Sequence, residues 1–404
     1  MENGFYTKIT EMEPMMPADP AGELGDLALE VVRKSAALGA AVHPITCRGV
    51  VELIRKMNSY YSNLIEGHNT HPVDIDRALR EDFSKDPAKR ARQLESKAHI
   101  EVQKLIEASI EDSPERVITG KDFLCWIHKE FYERMPSEYL VVKRPDGRAE
   151  KVIPGQIRDV DVEVGRHLPP KSGYLSGFMK RFEEAYDPQK LKGLKQVVAA
   201  AASHHRLAWI HPFLDGNGRV TRLMTHAYLR KARIDGHGLW AVSRGFARNR
   251  EDYLASLAAA DQPRRGDLDG RGNLTQAGLV GFCKFFLKTA IDQIDFMSSL
   301  LDLDGMQKRI QAVVDRQVSF GEMKPEAAHL LRDVFLRGEI ARGEIPSLVG
   351  MPERSARRVV GSLLAKGYLV SATGKGPVRL GFPASMVGYY LPRLYPEGAE
   401  AGLD

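Results

Sequence analysis

The sequence predicts a mainly α-helical protein with one small β-hairpin and a C-terminal winged helix-turn-helix unit. Three observations predict it. Apolar residues recur at helical spacing along most of the chain, strand-like alternation is confined to one short stretch, and the last segment combines three short helical patterns with a basic-tipped hairpin.

In chain order, Ala21 to Leu38, Arg48 to Glu66, Val73 to Phe83, Arg90 to Ile110 and Gly120 to Glu133 each carry helical spacing, with Asp, Pro and Gly between them. In the second of these, Ile54, Met57, Tyr61 and Leu64 share one face, and Ser62 and Glu66, four apart, share a side just before Gly67. On pattern alone that is a helix finished by a C-terminal glycine and carrying a solvated glutamate. Over residues 155 to 170, Val160, Val162 and Val164 alternate with acids, which predicts a short two-faced strand ended by Pro169-Pro170. About Lys190 to Trp209 a helix turns Val197, Val198, Ala201 and Leu207 to the core. Its His204 and His205 read as packing or solvent contacts, because no metal-like spacing joins them to another ligand. Leu274 to Leu303 is long and apolar on one side and closes this unit.

The final segment differs. Pro325 to Leu336, a shorter helix from Ile345 to Val349, and Pro352 to Lys366 precede two strand-like pieces, Gly367-Tyr-Leu-Val and Val378-Arg-Leu, flanking Thr373-Gly-Lys-Gly. Arg354, Arg357 and Arg358 lie on the third helix, where they suit DNA phosphates or base edges in a major groove. Protein docking or dimerisation is an equal use of such a unit. The predicted organisation is an N-terminal helical region over 1–115, a central domain over 116–305 and the winged unit over 320–404.

Composition bounds the function. A chain of 404 residues has room for two or three domains, and a net charge of +5 is too modest to demand nucleic acid. Cys47, Cys125 and Cys283 are scattered without metal spacing, which suggests a reducing compartment and no disulfide framework. Met1 to Pro20 is polar and proline-containing, and no long apolar run appears, so a soluble, cytoplasmic protein without membrane contact is expected.

The densest chemistry lies at residues 211 to 222, His-Pro-Phe-Leu-Asp-Gly-Asn-Gly-Arg-Val-Thr-Arg. Val220, Leu223, Met224 and Ala227 then recur at helical spacing, so Arg219 and Arg222 open a helix. Gly216 and Gly218 permit positive φ angles that aim successive N–H groups at one point, where the helix start adds further donors and positive partial charge. Together these make an anion cradle. Asp215 beside a phosphate calls for an intervening cation, and one carboxylate sharing phosphate oxygens is a normal Mg²⁺ site. His211 has an ordinary pKa of about 6.5 and suits proton abstraction near neutral pH. Taken singly, His-Pro is a loop, Asn-Gly a turn and two arginines a solvated face.

Taken in order, these residues match the signature of the Fic family, His-Pro-Phe-x-Asp/Glu-Gly-Asn-Gly-Arg-x-x-Arg. The resemblance implies a Fic helical core and transfer of AMP from ATP to a Ser, Thr or Tyr hydroxyl of a protein, the enzyme itself included. It implies His211 as base, Asp215 as Mg²⁺ ligand, Asn217 with the Gly216 and Gly218 amides around the α-phosphate, and Arg219 and Arg222 on the β- and γ-phosphates. Phe213 resembles the family's buried anchor. Ser62-Asn63-Leu64-Ile65-Glu66-Gly67 resembles the inhibitory motif, Ser/Thr-x-x-x-Glu-Gly/Asn, of Fic proteins, on a helix spanning about 48–67. The resemblance therefore implies Glu66 pairing with Arg222 in place of a γ-phosphate. It also makes residues 155 to 170 the β-hairpin flap that holds the target by strand addition, and it puts Tyr253 and Asp261 beside the adenine. Relatives often dimerise. Other readings stay open: a DNA-binding regulator using the Fic domain as a nucleotide sensor, another donor such as UMP or phosphocholine, or removal of AMP.

Overall fold

The computed structural model describes residues 5–19, 21–143 and 147–395. The expected segments at 1–4 and 396–404 lie outside the described residues. The helices are α1 (Glu23–Ala41), α2 (Pro44–Ile65), α3 (Pro72–Leu79), α4 (Pro87–Asp112), α5 (Lys121–Tyr132), α6 (Leu175–Tyr186), α7 (Leu194–Ile210), α8 (Asn217–Lys231), α9 (Ser243–Arg248), α10 (Arg250–Ala260), α11 (Gln276–Leu301) and α12 (Leu303–Ser319). The C-terminal unit follows, with α13 (Ala327–Arg337), α14 (Ile345–Val349), α15 (Glu353–Ala365) and α16 (Ala384–Tyr390).

Local chemistry starts several of these helices. His43 caps α2 with its Nδ1 accepting from the Ile45 N–H at 3.3 Å, and Pro44 opens the helix. Asp86 caps α4 through the Lys89 N–H at 2.7 Å, ahead of Pro87. Helix α7 forms the centre. It packs on α1, α6, α8 and α11, and its buried run Ala199 to Ala202 keeps side-chain bulk out of those contacts. Helix α2 lies on α4 and α9 and also touches α8.

Two antiparallel sheets accompany the helices. Strands β1 (Val141–Lys143) and β2 (Ala149–Lys151) form a hairpin with Val142 opposite Glu150. Strands β3 (Glu339–Ile340), β4 (Leu369–Val370) and β5 (Val378–Leu380) form a sheet of order β3-β5-β4, with Ile340 opposite Val378 and Leu369 opposite Leu380.

The strand expected at Val160 to Val164 does not form. Residues 155–170 are irregular apart from an antiparallel bridge between Val164 and His167, turned at Gly165 with φ 60, and a parallel bridge from Pro170 to Tyr6. Asp161 spends its carboxylate on the Ser172 N–H at 2.8 Å, and Arg158 ties up the Val160 and Pro170 carbonyls, so no ladder is left to build. The hairpin lies earlier, at β1 and β2. Helices α6, α9, α12 and α16 and strands β1, β2 and β3 lie outside the expected elements, and α2 begins at Pro44 rather than Arg48. No single described helix is long and apolar enough to cross a membrane.

Candidate active site

Helix α7 ends at Ile210, and His211 caps it in the left-handed region at φ 49 and ψ 60. A non-glycine residue sits there only when its surroundings over-determine it. Here the His211 N–H donates to Leu207 O at 3.1 Å, and its carbonyl accepts from Arg158 Nε at 2.8 Å. The imidazole Nδ1 lies 3.3 Å from Ala208 O, which can only accept. Nδ1 therefore carries the proton and Nε2 the lone pair. Burial pushes the imidazole down to about 4, so the ring is neutral at neutral pH.

The following loop is clamped from within. Phe213 is fully buried and stacks on His128 with centroids 4.2 Å apart. Its N–H donates to Asn217 Oδ1 at 2.9 Å, and Asn217 Nδ2 donates back to its carbonyl at 2.8 Å. The Asn217 amide thus serves the loop as well as facing the cavity. Gly216 takes the left-handed conformation at φ 77, and a Cβ there would stand 2.6 Å from the Tyr132 hydroxyl. Gly218 does not use positive φ; it is already inside α8. Its lack of a side chain is needed for space, because a Cβ would lie 2.3 Å from Glu66 Oε1 and 3.0 Å from Arg222 Nη1.

That space holds a carboxylate. Buried Arg222 donates from Nη2 to Glu66 Oε1 at 2.6 Å and to Ser62 O at 3.1 Å, and from Nε to Ser62 Oγ at 2.9 Å. Glu66 follows the last turn of α2, with Gly67 at φ 86 and the His68 N–H donating to Asn63 O at 2.9 Å. Burial opposes the charge on Glu66, but Arg222 and then Arg219 outweigh it and hold the carboxyl below the usual range. The anion thus sits at the N-terminus of α8, where unsatisfied amides and the helix dipole favour it.

Arg219 is committed elsewhere. Its Nη1 donates to Glu95 Oε1 at 2.7 Å, and its Nη2 to Asp215 Oδ2 at 3.1 Å and to the Tyr132 hydroxyl at 3.2 Å. Glu95 also binds His68 Nδ1 at 2.7 Å, and this bond raises the His68 pKa. The Tyr132 hydroxyl donates to Asp215 Oδ2 at 2.5 Å. Burial works against ionisation of Asp215, yet Arg219, Tyr132 and the Gly216 N–H keep its carboxyl low.

A cavity of about 520 Å³ is lined by His211, Asn217, Gly218 and Arg222, by Glu66, and by Tyr253 and Asp261. Leu254, Leu257 and Ala258 of α10 give it an apolar wall. Asp215, Gly216, Arg219, Ser62 and Gly67 are not part of its walls. Tyr253 stacks on Phe246 at 4.5 Å, and its hydroxyl lies 2.8 Å from His204 Nε2. Thr225 donates its hydroxyl proton to Thr221 O and so accepts from His204 Nδ1, which directs the Tyr253 proton to His204. Asp261 Oδ1 lies 3.1 Å from His205 Nε2. His204 and His205 are thus packing residues that brace one wall of the cavity.

Among the described residues no group of three or more His, Cys, Asp or Glu forms a metal site. Asp215 has one oxygen engaged, is ionised and is 43% exposed at its side chain. It fits a single-carboxylate ligand for a cation carried in by phosphates. Glu95, Tyr132, His128 and Arg158 were not singled out from sequence, since each reaches the loop from a distant segment with no motif of its own.

Residues 118–229 match the family model described as Fic/DOC family. Over 90 residues, 22% of this chain, the sequence is 39% identical to proteins named protein adenylyltransferase Fic from Drosophila grimshawi and Drosophila erecta, covering 19% and 18% of them. The chain thus spans about a fifth of the length of these curated relatives. The structure resembles that of a Fic family protein from Desulfovibrio desulfuricans G20, with a TM-score of 0.52 and 17% identity over 90% of this chain and 98% of that one. It also resembles Fic-1 (residues 134–508) from C. elegans, with a TM-score of 0.52 and 16% identity over 70% and 75% of the two chains. At these identities the structural likeness concerns the fold alone.

Proposed function

The chain carries a Fic/DOC family domain, and from that premise we propose that it is a protein adenylyltransferase restrained by its own Glu66. The observation that carries the proposal is the uncharged His211, with its Nε2 free to accept a proton, in the same cavity as Gly218, Arg222 and Glu66.

In this reading the target hydroxyl oxygen bonds to the α-phosphorus of ATP as His211 Nε2 takes its proton. The bond from the α-phosphorus to the bridging oxygen breaks, and pyrophosphate leaves. Such transfer depends mainly on positioning and charge neutralisation. The start of α8 supplies amide donors, Arg222 binds terminal phosphate oxygens once it is free, and the apolar face of α10 suits a nucleobase beside Tyr253. Asp215 would hold Mg²⁺ against the phosphates, and that cation would neutralise charge on the leaving group.

The Glu66 carboxylate occupies an anion position at Arg222, so a phosphate arriving there meets both repulsion and a spent guanidinium. The resting enzyme is therefore weakly active. A pure nucleotide sensor would need the cradle and Arg222 but has no use for a base held in one tautomer. With ATP radiolabelled at the α-phosphate, Glu66→Gly is expected to label itself or a protein substrate, and Glu66→Gly with His211→Ala to leave no label. Equal labelling by both variants would remove His211 from the chemistry.

A further inference from the structure

From α13 to β5 the C-terminal unit runs helix, strand, helix, helix, strand, strand, which is the element order of a winged helix-turn-helix, and α16 follows. Helix α15 packs mainly on α14 and β4 of that unit, through buried Ala356, Val359, Val360 and Leu363, and its opposite face is exposed. On that face Arg354, Arg357 and Arg358 stand three and four apart and are exposed, followed along the helix by exposed Gly361, Ser362 and Ala365. A Cβ added at Gly361 would meet nothing within 4 Å. The helix is thus cationic in its first half and slim in its second.

Charge around it is predominantly positive. Between residues 345 and 380 the basic residues are Arg354, Arg357, Arg358, Lys366, Lys375 and Arg379, against Glu353 alone. Arg357 pairs with Glu353, Lys366 with Glu322, and Arg379 with Glu339. Arg354, Arg358 and the wing-tip Lys375 have no salt-bridge partner among the described residues. A cavity between α15 and the wing is lined by Arg342, Arg357 and Lys375, with Glu353 the one acid, so the wing extends a surface of net positive charge.

Two absences on this face narrow the partner's chemistry. Helix α15 presents no exposed large apolar side chain, which a protein interface would use as its anchor. It also presents no aromatic ring on which single-stranded bases would stack. A slim cationic helix of about 10–12 Å diameter matches a major groove about 12 Å wide, with the wing tip across the adjoining phosphates. We propose that α15 and the 371–377 wing bind double-stranded DNA, with α15 in the major groove and Lys375 on the backbone.

The test is fluorescence anisotropy of a labelled mixed-sequence duplex titrated with the full chain, and it needs no nucleotide transfer, so it stands apart from the reading above. About three phosphate contacts would weaken binding roughly 40-fold between about 50 and about 200 mM salt. Arg354→Ala with Arg358→Ala, two exposed changes that leave the core intact, is expected to weaken binding at least about tenfold at low salt. Arg354→Lys with Arg358→Lys should keep most of the salt-dependent affinity. No anisotropy change at low salt, unchanged binding by the alanine pair, or equal affinity for a single strand of the same length would overturn the proposal. So would binding to vesicles of anionic lipid without binding to the duplex.

Discussion

At the scale of single residues, the site is governed by which groups are already satisfied. Arg222 binds Ser62 and Glu66, and Arg219 binds Glu95, Asp215 and Tyr132, so both arginines of the motif hold internal anions. His211 is the group left with a free lone pair facing the cavity. Its folded pKa is depressed by burial to about 4, so protonation disables the base only well below neutral pH. For Glu66→Gly, kcat/KM for AMP transfer should stay level from pH 8 to about 5 and fall with an inflection near 4. An inflection near the ordinary histidine value of about 6.5 would contradict the burial argument. The Glu66 carboxyl is also held low, so mild acidification should not release the wild-type enzyme. The twelve-residue motif was legible because its chemistry is contiguous in sequence. The role of Gly218 was read only in part, since its need for space arises from a residue on another helix.

Among elements, the link between α7 and α8 is shaped by a residue outside both. Arg158 is buried and donates to the carbonyls of His211, Val160 and Pro170 at 2.8, 2.9 and 2.6 Å, while its own N–H donates to Pro212 O at 3.0 Å. It fastens the irregular 155–170 segment to the peptide that carries His211. A lysine has one donor group in place of the guanidinium fork and leaves carbonyls unmet. Arg158→Lys should cost about 2 kcal/mol of unfolding free energy by denaturant titration. In the Glu66→Gly background it should lower kcat with little change in the KM for ATP. An unchanged kcat would mean that Arg158 fastens the segment without aligning His211. The helical elements were legible from apolar periodicity, because a buried stripe imposes it. The strand at Val160 to Val164 was misread, since alternation cannot reveal that a distant arginine and a local carboxylate have taken the backbone groups a ladder would use.

Across the whole molecule, helix α2 is also a packing surface for the C-terminal unit. Near the start of α2, Thr46 Oγ1 donates to Phe335 O at 3.0 Å, and Gly49 faces Phe382. Near its end the Tyr61 hydroxyl donates to Leu394 O at 3.1 Å, and Tyr60 meets Tyr395 edge-on at 5.7 Å. These tyrosines directly precede Ser62, so buried Leu394 and Tyr395 brace the turn that carries Glu66. Tyr395→Ala would remove a buried ring at a cost of about 3 kcal/mol. The expected outcome is higher autolabelling while Glu66 is intact, and no further gain once Glu66 is glycine. Unchanged labelling in the first background would show that α2 holds its position without the brace. Nothing in the sequence announced this contact, because the tyrosines are ordinary core residues until the chain end is folded over them.

The most direct measurement is intact-mass spectrometry of the full chain after incubation with ATP and Mg²⁺. Expected are little adduct on the wild type, a mass increase of one or more AMP groups on Glu66→Gly, and none on Glu66→Gly with His211→Ala. Equal adduct on wild type and Glu66→Gly would overturn restraint by Glu66, and adduct that survives the loss of His211 would overturn its role as base.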